Sequence, residues 1–281
     1  MTGECYFQPG ACPARDWALV LGASSGFGAA TSIELARAGL DIFGVHLDRR
    51  ATLPNAQRVQ EEIASLGRRA VFFNVNAADE EKRKHVLGSI KQQLDENGGM
   101  VRVLLHSLAF GSLGPYMSGQ ETGDRGQGAA PLTQQQIEMT LDVMANSLVY
   151  WVRDLVDAGL MGEGGRVFAL TSAGGHKVWP AYGAVSAAKA ALESHVRQLA
   201  LELAPKGITV NAIRAGVTDT PALRKIPGWE AMLRRAQQLN PHGRAGAPED
   251  VARAIAVLAH PNTYWITGNA IGVDGGEDVT G

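Results

Sequence analysis

A tyrosine and a lysine seven residues apart carry the clearest chemical signal in this chain of 281 residues. Tyr182 and Lys189 lie in a run of small and apolar residues that favours a helix. Seven helical steps of ~100° bring two side chains to within ~20° of each other around the axis, so the phenol and the amine share one face. An ammonium near a phenol lowers the phenol's pKa, and the pair therefore suits donation of a proton or hydrogen bond to a developing oxyanion. The alternative, a half-buried tyrosine beside a solvated lysine, is commoner for an arbitrary pair.

A glycine-rich turn near the start of the chain suits a nucleotide phosphate. The apolar run 17–21 leads directly into it, and an apolar-periodic segment, 29–38, follows. This order of strand, glycine turn and helix presents backbone N–H groups to an anion, and residues without bulky side chains let the anion approach. The spacing is Gly-x3-Gly-x-Gly, which differs from the better-known dinucleotide fingerprint. The cofactor contacts predicted in this turn are Gly22, Ser24, Ser25, Gly26, Phe27 and Gly28.

The two motifs, in this order and about 160 residues apart, resemble those of the short-chain dehydrogenase/reductase family. The resemblance runs from Trp17 to Asp278, and its further matches are Asn74-Val75, Asn146, Thr171-Ser172, Asn211-Ala212-Ile213, Gly216 to Thr220 and Gly272 to Gly276. It implies that Thr220 orients the nicotinamide carboxamide and that Asn146 supports a water chain near Lys189. An Asn146 that only bonds the backbone of its own helix is equally compatible with the sequence. Further cofactor contacts implied by the resemblance are Asn74, Val75, Ser107, Lys189, Gly216 and Thr220.

Departures from the common family pattern narrow the resemblance to the enoyl-acyl-carrier-protein reductases. Common members place the tyrosine four residues before the lysine, where this chain has Val185. A Tyr-x6-Lys pair is similar to that of the enoyl reductases, and so is the string His106-Ser107-Leu108-Ala109. Two other runs, 187–193 and 240–244, most resemble the NADPH-dependent branch of these enzymes.

Charged residues after the second predicted strand bear on the choice of cofactor. The run His46-Leu47-Asp48-Arg49-Arg50 holds both signs of charge. An acidic residue here bonds the ribose 2′-hydroxyl of NAD, whereas an arginine pairs with the 2′-phosphate of NADP. Arg49 and Arg50 stand where the similar reductases carry basic residues, so we expect NADP(H). In the alternative, the three charges form only a solvated turn.

The resemblance implies reduction of the double bond of a trans-2-enoyl thioester in fatty acid biosynthesis. Hydride from the cofactor reaches the β-carbon, and negative charge collects on the thioester oxygen, which Tyr182 would meet. Lys189 would hydrogen-bond the nicotinamide ribose and keep the phenol acidic. Ser172 stands ten residues before Tyr182, where several enoyl reductases carry a second tyrosine, so its role stays open. Either Ser172 or Ser186 would add a hydrogen bond to the substrate.

Two other functions remain open from the sequence. An NADP-dependent 3-oxoacyl or other carbonyl reductase would use the same Tyr182 and Lys189. A non-catalytic module would bind the nucleotide without turnover, and the intact tyrosine and lysine argue against it. Enoyl and keto thioesters offered with NADPH would separate the two enzymes.

Alternating apolar runs and amphipathic segments predict a single doubly wound α/β domain of Rossmann type. Seven runs are bounded by Gly, Asn or Asp, which is typical of a parallel seven-stranded sheet with helices on both faces. The predicted strands are 17–21, 41–46, 70–75, 101–106, 165–171, 207–213 and 268–273. Long helices are predicted at 132–160 and 181–204, and the segment 112–131, rich in Gly, Ser and Gln, is predicted to be an extended loop.

Composition fits one globular domain, 17–281, preceded by an N-terminal arm, 1–16. Hydrophobic residues make up 45% of the chain, and a formal net charge of -2 gives no reason to expect nucleic acid as a partner. Cys5 and Cys12 are too few for a metal cluster, so we expect free thiols and no metal. The sequence shows no secretory leader and no apolar stretch of ~18 residues, so we expect a cytoplasmic protein without a membrane span.

A basic segment, 217–245, is expected to form a helical flap over the substrate tail. Its arginines suit an acidic carrier protein, although basic residues on an amphipathic helix are more often a solvated face. We also expect a homotetramer, because the two long predicted helices carry more apolar residues than one sheet can cover. The residues concerned are Val149, Tyr150, Trp151, Leu192, Leu199 and Leu203.

Overall fold

The computed structural model describes residues 16–119 and 130–280. Its centre is a seven-stranded sheet in which every neighbouring pair is parallel, as the sequence predicts. The strands are β1 (Trp17–Leu21), β2 (Asp41–His46), β3 (Ala70–Asn74), β4 (Val101–His106), β5 (Arg166–Ser172), β6 (Thr209–Ala215) and β7 (Ala270–Val273). All residues of β1 and β2 are buried, which is expected of parallel strands covered on both faces.

The strands lie in the order β3-β2-β1-β4-β5-β6-β7. The order reverses at β1, because the chain returns after β3 to the other side of β1, where Leu21 pairs with His106. Such a reversal opens a crevice at the carboxyl ends of the strands, where open α/β sheets bind their ligands. The fold therefore places a ligand site beyond the ends of β1 and β4.

Helices cover both faces of this sheet. They are α1 (Gly26–Arg37), α2 (Leu53–Ser65), α3 (Glu80–Asn97), α4 (Gln134–Leu141), α5 (Ser147–Asp157), α6 (Gly183–Leu203), α7 (Trp229–Leu239), α8 (Pro248–Leu258) and α9 (Glu277–Thr280). Side chains along β1 alternate between two cores, with Leu19 and Leu21 in one and Ala18 and Val20 in the other. The first core includes residues of α3, α5 and α6, and the second includes residues of α1, α2 and α8.

Two helix predictions need correction, whereas the strand bounds agree to within two residues. The predicted helix 132–160 is interrupted by a π-helical segment, Asp142–Asn146, between α4 and α5. Such a segment inserts extra backbone into a helix and is common at functional sites. The predicted helix 181–204 begins only at Gly183, so Tyr182 is its N-cap and not a helical residue. Within 112–131, the described residues form no helix or strand; residues 120–129, like Cys5 and Cys12, lie outside the described part.

The apolar side chains that were expected to need a partner subunit are mostly buried within the chain. Four of the six lie in the core, namely Trp151, Leu192, Leu199 and Leu203. Val149 is half-buried and packs against the same core. These side chains therefore do not by themselves require a partner subunit, since α3, α5 and α6 together bury most of them on one face of the sheet.

Within the described ranges, no helix is long and apolar enough to span a membrane. The same ranges contain no cluster of three or more His, Cys, Asp or Glu side chains suited to a metal ion.

Candidate active site

The glycine turn between β1 and α1 forms the first wall of the site. Gly22 has a φ of 92°, and a Cβ there would lie 2.4 Å from the Ser107 carbonyl oxygen, so only glycine fits. The N-cap of α1, Ser25, makes no side-chain cap, so the first N–H groups of the helix remain available to an anion. The six residues predicted to contact the cofactor all lie in this turn or at the start of α1: Gly22, Ser24, Ser25, Gly26, Phe27 and Gly28. These donors and small side chains fit the pyrophosphate of a dinucleotide.

The turn after β2 brings a carboxylate to the glycine turn. Asp48 lies beside Ser24 and Thr52, and its Oδ2 is 2.8 Å from His46 Nδ1. Partial burial works to raise the pKa of Asp48, but hydrogen bonds from Thr52, Ser24 and His46 outweigh it and hold the pKa below its usual value. Asp48 is therefore ionised at neutral pH, next to the position predicted for a cofactor ribose.

Other residues predicted to contact the cofactor shape or flank this same turn. Asn74 donates from Nδ2 to the carbonyl oxygen of Asp48 at 3.0 Å and accepts from the Asp48 N–H at 2.9 Å. The Val75 N–H bonds the last carbonyl of β2 at 2.8 Å. Arg49 and Arg50 are exposed on the turn that these bonds fix. The structure thus gives Asn74 a supporting position and leaves both arginines open to solvent.

Tyr182 and Ser172 meet at the end of β5. Both border Gly174, where a Cβ would lie 2.6 Å from Tyr182 Cε1 and 3.2 Å from Ser172 Oγ. Burial raises the pKa of Tyr182, and the Ser172 hydroxyl works in the opposite direction. The net direction is opposite to the one predicted from the lysine alone, because burial disfavours the phenolate. Ser172 Oγ is buried and makes no hydrogen bond of normal geometry within the described residues, so it is free to bond a substrate.

Lys189 is buried in α6, and its Nζ donates to the carbonyl oxygen of Leu170 at 2.5 Å. Burial lowers the pKa of Lys189 to about 8, and Glu193 works to raise it. Glu193 Oε1 accepts a hydrogen bond from Thr171 Oγ1 at 2.7 Å. The sequence analysis gave Glu193 no role; an acidic residue one helical turn after the lysine was the available signal. Lys189 and Tyr182 are therefore brought to the same strand end, through β5 and the start of α6.

The serine proposed as an alternative substrate donor has another partner. Ser186 Oγ donates to the carbonyl oxygen of Gly174. This bond fixes the segment between β5 and α6 and occupies the hydroxyl proton. Of the two serines considered from the sequence, Ser172 is therefore the better placed to bond a substrate.

His106, at the end of β4, is a site residue to which the sequence prediction gave no role. It is fully buried, and its Nε2 lies 2.8 Å from Ser147 Oγ, which donates to the carbonyl oxygen of Val143. Burial lowers the pKa of His106 to about 3, and the charge of Lys189 adds to this effect. The imidazole is therefore neutral. A histidine directly after the apolar run Val103-Leu104-Leu105 was the available signal in the sequence.

Asn146 closes the π-helical segment and bonds α6. Its Oδ1 lies 3.1 Å from Nε2 of His195, whose pKa is lowered by burial. The side chain thus ties the π-helical segment to the helix that carries Lys189. A bond of this side chain to its own helix backbone, the alternative considered from the sequence, is not what forms.

The loop after β6 closes the crevice opposite the glycine turn. Thr220 is buried, and a Cβ on Gly26 would lie 3.5 Å from its methyl group. Its Oγ1 accepts from the Leu223 N–H at 3.2 Å. At Gly216 a Cβ would lie 2.8 Å from Glu277 Oε2, so glycine is required by this close approach. The structure therefore brings the predicted Gly216–Thr220 loop and the predicted glycine turn to one site.

The loop after β4 packs on the start of α6. The Gly114 N–H donates to the carbonyl oxygen of Ala181 at 2.9 Å, and a Cβ on Gly183 would lie 2.7 Å from the Tyr116 ring. Ala181 has a φ of 64°, a left-handed conformation that costs free energy in a residue other than glycine. Exposed apolar side chains of this loop and of the 173–182 segment are Phe110, Tyr116, Met117 and Val178. They offer an apolar surface next to Tyr182.

The predicted flap contains α7 and several cations. Arg224 pairs with Asp219 through two N···O contacts of 2.7 and 2.8 Å, and Arg244 pairs with Asp250 at 2.6 Å. These two arginines therefore have partners within the chain. The exposed cations of the segment also include Lys225, Arg234 and Arg235.

The strand order, the glycine turn, and a lysine and a tyrosine brought to the end of β5 are typical of an oxidoreductase that uses a nicotinamide cofactor. Residues 22–277 match the family described as enoyl-(acyl carrier protein) reductase. The chain belongs to the short-chain dehydrogenase/reductase family and, within it, resembles the enoyl-acyl-carrier-protein reductases.

Relatives of known name fall into more than one substrate class. An enoyl-[acyl-carrier-protein] reductase [NADH] from Aquifex aeolicus (strain VF5) is 30% identical over 193 residues, 69% of this chain and 68% of that protein. A crystal structure of an enoyl reductase (NADH) from Aquifex aeolicus VF5 has a TM-score of 0.76 at 27% identity and covers 95% of this chain and 98% of that chain. A cyclohexanol dehydrogenase from Acinetobacter sp. (strain SE19) is 30% identical over 261 residues, 92% of this chain and 93% of that protein.

A structure with a bound cofactor is also similar. A short-chain dehydrogenase from Burkholderia cenocepacia J2315, crystallised in complex with NADP, has a TM-score of 0.74 at 28% identity and covers 94% of this chain and 98% of that chain. The similar proteins thus include one named for NADH and one bound to NADP.

Proposed function

We propose that this protein transfers hydride from NADPH to the double bond of a trans-2-enoyl thioester in fatty acid biosynthesis. The observation that carries the proposal is the position in the chain of the tyrosine that reaches the site. The position of the common family tyrosine holds Val185, which is 5% exposed and packs in the core. The phenol at this site comes instead from Tyr182, the N-cap of α6, as in a Tyr-x6-Lys pair.

The residues of the site fit this chemistry. When bound, the nicotinamide supplies the hydride. Tyr182, kept protonated by burial, donates a hydrogen bond to the thioester oxygen as negative charge collects there. Lys189, held by the Leu170 carbonyl, contributes positive charge and a bond to the cofactor ribose. The Ser172 hydroxyl is a second donor for the same oxygen, because its Oγ is buried beside Tyr182 and makes no hydrogen bond of normal geometry within the described residues.

NADPH is the cofactor we propose, with the 2′-phosphate bound by Arg49 and Arg50. Both side chains are exposed on the turn that Asn74 fixes beside the glycine turn. Asp48 acts against this choice, since its ionised carboxylate repels a phosphate and accepts hydrogen bonds from the ribose hydroxyls of NADH. Arg49 and Arg50 attract the 2′-phosphate and Asp48 repels it. The ratio of kcat/KM for NADPH and NADH on the same substrate measures which effect is larger.

A substrate panel tests the proposal directly. Purified protein is given NADPH with crotonyl or with acetoacetyl thioester, and oxidation of NADPH is followed. We expect turnover of the crotonyl thioester and none of the acetoacetyl thioester, because the phenol comes from the residue preceding α6. Turnover of only the keto substrate would refute the enoyl reductase assignment.

A second candidate is an NADP-dependent 3-oxoacyl or other carbonyl reductase. Ser172 favours it, because its buried hydroxyl lies at the end of β5 beside Tyr182, makes no hydrogen bond of normal geometry within the described residues and can bond a ketone oxygen. The similarity to a cyclohexanol dehydrogenase over 92% of this chain also supports it. The same substrate panel separates the two activities.

Further parts of the proposal concern partners. The exposed cations Lys225, Arg234 and Arg235 suit docking of an acidic acyl carrier protein, which would present the thioester beside the flap. If the double variant Arg234→Ala, Arg235→Ala loses more kcat/KM with an acyl-carrier-protein substrate than with a coenzyme A thioester, this docking is supported.

We also propose that the protein forms a homotetramer in the cytoplasm.

A further inference from the structure

The carboxylate of Asp278, in α9, lies close to a lysine, an arginine and a histidine. Its oxygens lie 2.8 Å from Lys177 Nζ, 3.2 Å from His176 Nε2 and 3.3 Å from Arg214 Nε. The Asp278 side chain is only 14% exposed. Burial works to raise the pKa of Asp278, but Lys177 and His176 outweigh it and hold the pKa below its usual value. Asp278 is therefore a carboxylate that three partners share.

The three partners belong to different parts of the site. His176 and Lys177 lie in the segment 173–182, which joins β5 to α6 and ends at the proposed proton donor. Arg214 lies in β6, directly before the loop that carries Gly216 and Thr220. Asp278 thus connects the substrate side of the site to the cofactor side.

Neighbouring residues fix α9 to the cofactor side and to the flap. Glu277 Oε2 accepts from the Val217 N–H at 3.1 Å, within the loop after β6. Thr280 Oγ1 donates to the Leu239 carbonyl oxygen at 2.7 Å, at the end of α7. Asp274 Oδ2 accepts from the Asp278 N–H at 3.1 Å, which holds the backbone of the turn. Because α9 is anchored in this way, a displacement of the loop after β6 is passed to Asp278.

We propose that Asp278 is a positioning residue that couples the loop after β6, which carries Gly216 and Thr220, to the segment 173–182. A bound cofactor would then set the position of the Tyr182 phenol. The inference rests on the proposed catalytic role of Tyr182, but it holds for an enoyl or a keto substrate. Loss of the charge would remove the ion pairs that Lys177 and Arg214 make with this carboxylate. The segment 173–182 would then lose its link through Asp278 to the loop after β6.

The experiment compares Asp278→Asn with Asp95→Asn. Asp278→Asn keeps the shape of the side chain and removes its charge, whereas Asp95→Asn breaks the exposed Lys91–Asp95 pair on α3, remote from the site. Each variant is measured for NADPH and NADH affinity by cofactor fluorescence. Hydride transfer is measured with NADPH, unlabelled or deuterated at the transferred position, on whichever of crotonyl-CoA and acetoacetyl-CoA the parent reduces.

For Asp278→Asn we expect cofactor affinity and kcat each to fall about tenfold, with a larger deuterium isotope effect, because a misplaced phenol slows the chemical step. Asp95→Asn should match the parent. If Asp278→Asn lowers only the yield of folded protein, and its cofactor affinity and isotope effect match those of the parent, the role of Asp278 is purely structural. That result would overturn the inference. If Asp278→Asn does not fold, Lys177→Gln tests the same link from the other side, and a parental isotope effect there overturns it.

Failure of the proposed function gives a different result. A parent that reduces acetoacetyl-CoA and not crotonyl-CoA refutes the enoyl assignment, yet leaves the effect of Asp278→Asn on that keto reaction measurable. If the parent reduces crotonyl-CoA and Asp278→Asn has the cofactor affinity, kcat and isotope effect of the parent, only the coupling is refuted.

Discussion

Lys189 Nζ lies 2.5 Å from the Leu170 carbonyl oxygen, and this contact joins the centre of the site to the last residues of β5. A buried ammonium with a backbone oxygen as its acceptor keeps a fixed position but loses part of its hydration. Its pKa falls to about 8 for that reason. In the proposed mechanism this charge supports the phenol, so activity should be sensitive to pH near this value.

The pH dependence of kcat/KM should report this lysine. As the pH rises through about 8, Lys189 loses its proton and the positive charge beside the phenol disappears, so kcat/KM should fall on the basic side. Glu193→Gln removes the group that raises the pKa of Lys189, so the basic limb should move to lower pH. Glu202→Gln, on an exposed part of α6, is the control and should leave the limb in place. Coincident profiles for the parent and Glu193→Gln would contradict the prediction.

Tyr182→Phe should lower kcat and leave stability almost unchanged. The variant keeps the ring and removes the hydroxyl that meets the developing oxyanion, a loss that typically costs on the order of 10² to 10³ in rate. Tyr150→Phe is the matched control, because its hydroxyl bonds Asp142 at 3.3 Å on another part of the fold. Steady-state kinetics and thermal unfolding of both variants check this. Full activity of Tyr182→Phe on enoyl thioesters would remove the basis of the mechanism.

The double variant Arg49→Ala, Arg50→Ala should lose its preference for NADPH. Each charge-assisted bond to the 2′-phosphate contributes about 1.5–3 kcal/mol, whereas NADH makes no such bond. The ratio of kcat/KM for NADPH and NADH is the measurement, with Arg58→Ala as a control on the exposed side of α2. An unchanged ratio would show that the phosphate site lies elsewhere, and a parent that already prefers NADH would assign the decisive role to Asp48.

Ala181→Gly should stabilise the protein. At a φ of 64° an alanine side chain costs about 1–2 kcal/mol that glycine does not, and this exceeds the cost of a more flexible unfolded chain. Ala187→Gly, at an exposed position inside α6, should instead destabilise by roughly 0.5–1 kcal/mol. Urea unfolding of the two variants compares the signs directly. A destabilised Ala181→Gly would mean that the left-handed backbone at this position carries no strain.

Assembly is tested by light scattering at micromolar concentration. We expect a mass about four times the 29.7 kDa of one chain. Most apolar side chains of the long helices are buried within the chain. The apolar surface that stays exposed includes Tyr264 and Trp265, which are 62% and 86% exposed before β7. Trp265→Ser should weaken assembly if this surface is an interface. A parent mass near that of one chain would refute the tetramer.

Local sequence patterns were sufficient to predict the architecture. Each strand of the sheet is a short apolar run next to a breaker, and the glycine turn stands between the first strand and the first helix in both sequence and structure. The parallel arrangement of the strands was predicted from the alternation of strands and helices along the chain. Those features depend on neighbours in the chain, which is why they could be predicted.

Features that depend on distant contacts could not be predicted in this way. The π-helical segment is a local change of hydrogen bonding inside one long apolar pattern, and Asn146 in it bonds His195 of another helix. The pKa of Tyr182 depends on burial, and burial is a property of the folded packing. Two partners of Asp278, His176 and Lys177, come from a segment more than 100 residues away, and the third, Arg214, comes from β6, so its place in the site had no signature in the spacing.

The position of β1 in the sheet sets a requirement on folding during synthesis. β1 pairs with β2 on one edge, but its other edge waits for β4, which follows about eighty residues later. Until residues 101–106 leave the ribosome, the nascent chain holds an apolar strand edge open, and that edge is a template for pairing with other chains. The first half of the sheet, which carries the glycine turn, is thus synthesised first but completed only when β4 pairs with β1. Dilute conditions or a chaperone should therefore favour recovery of active protein.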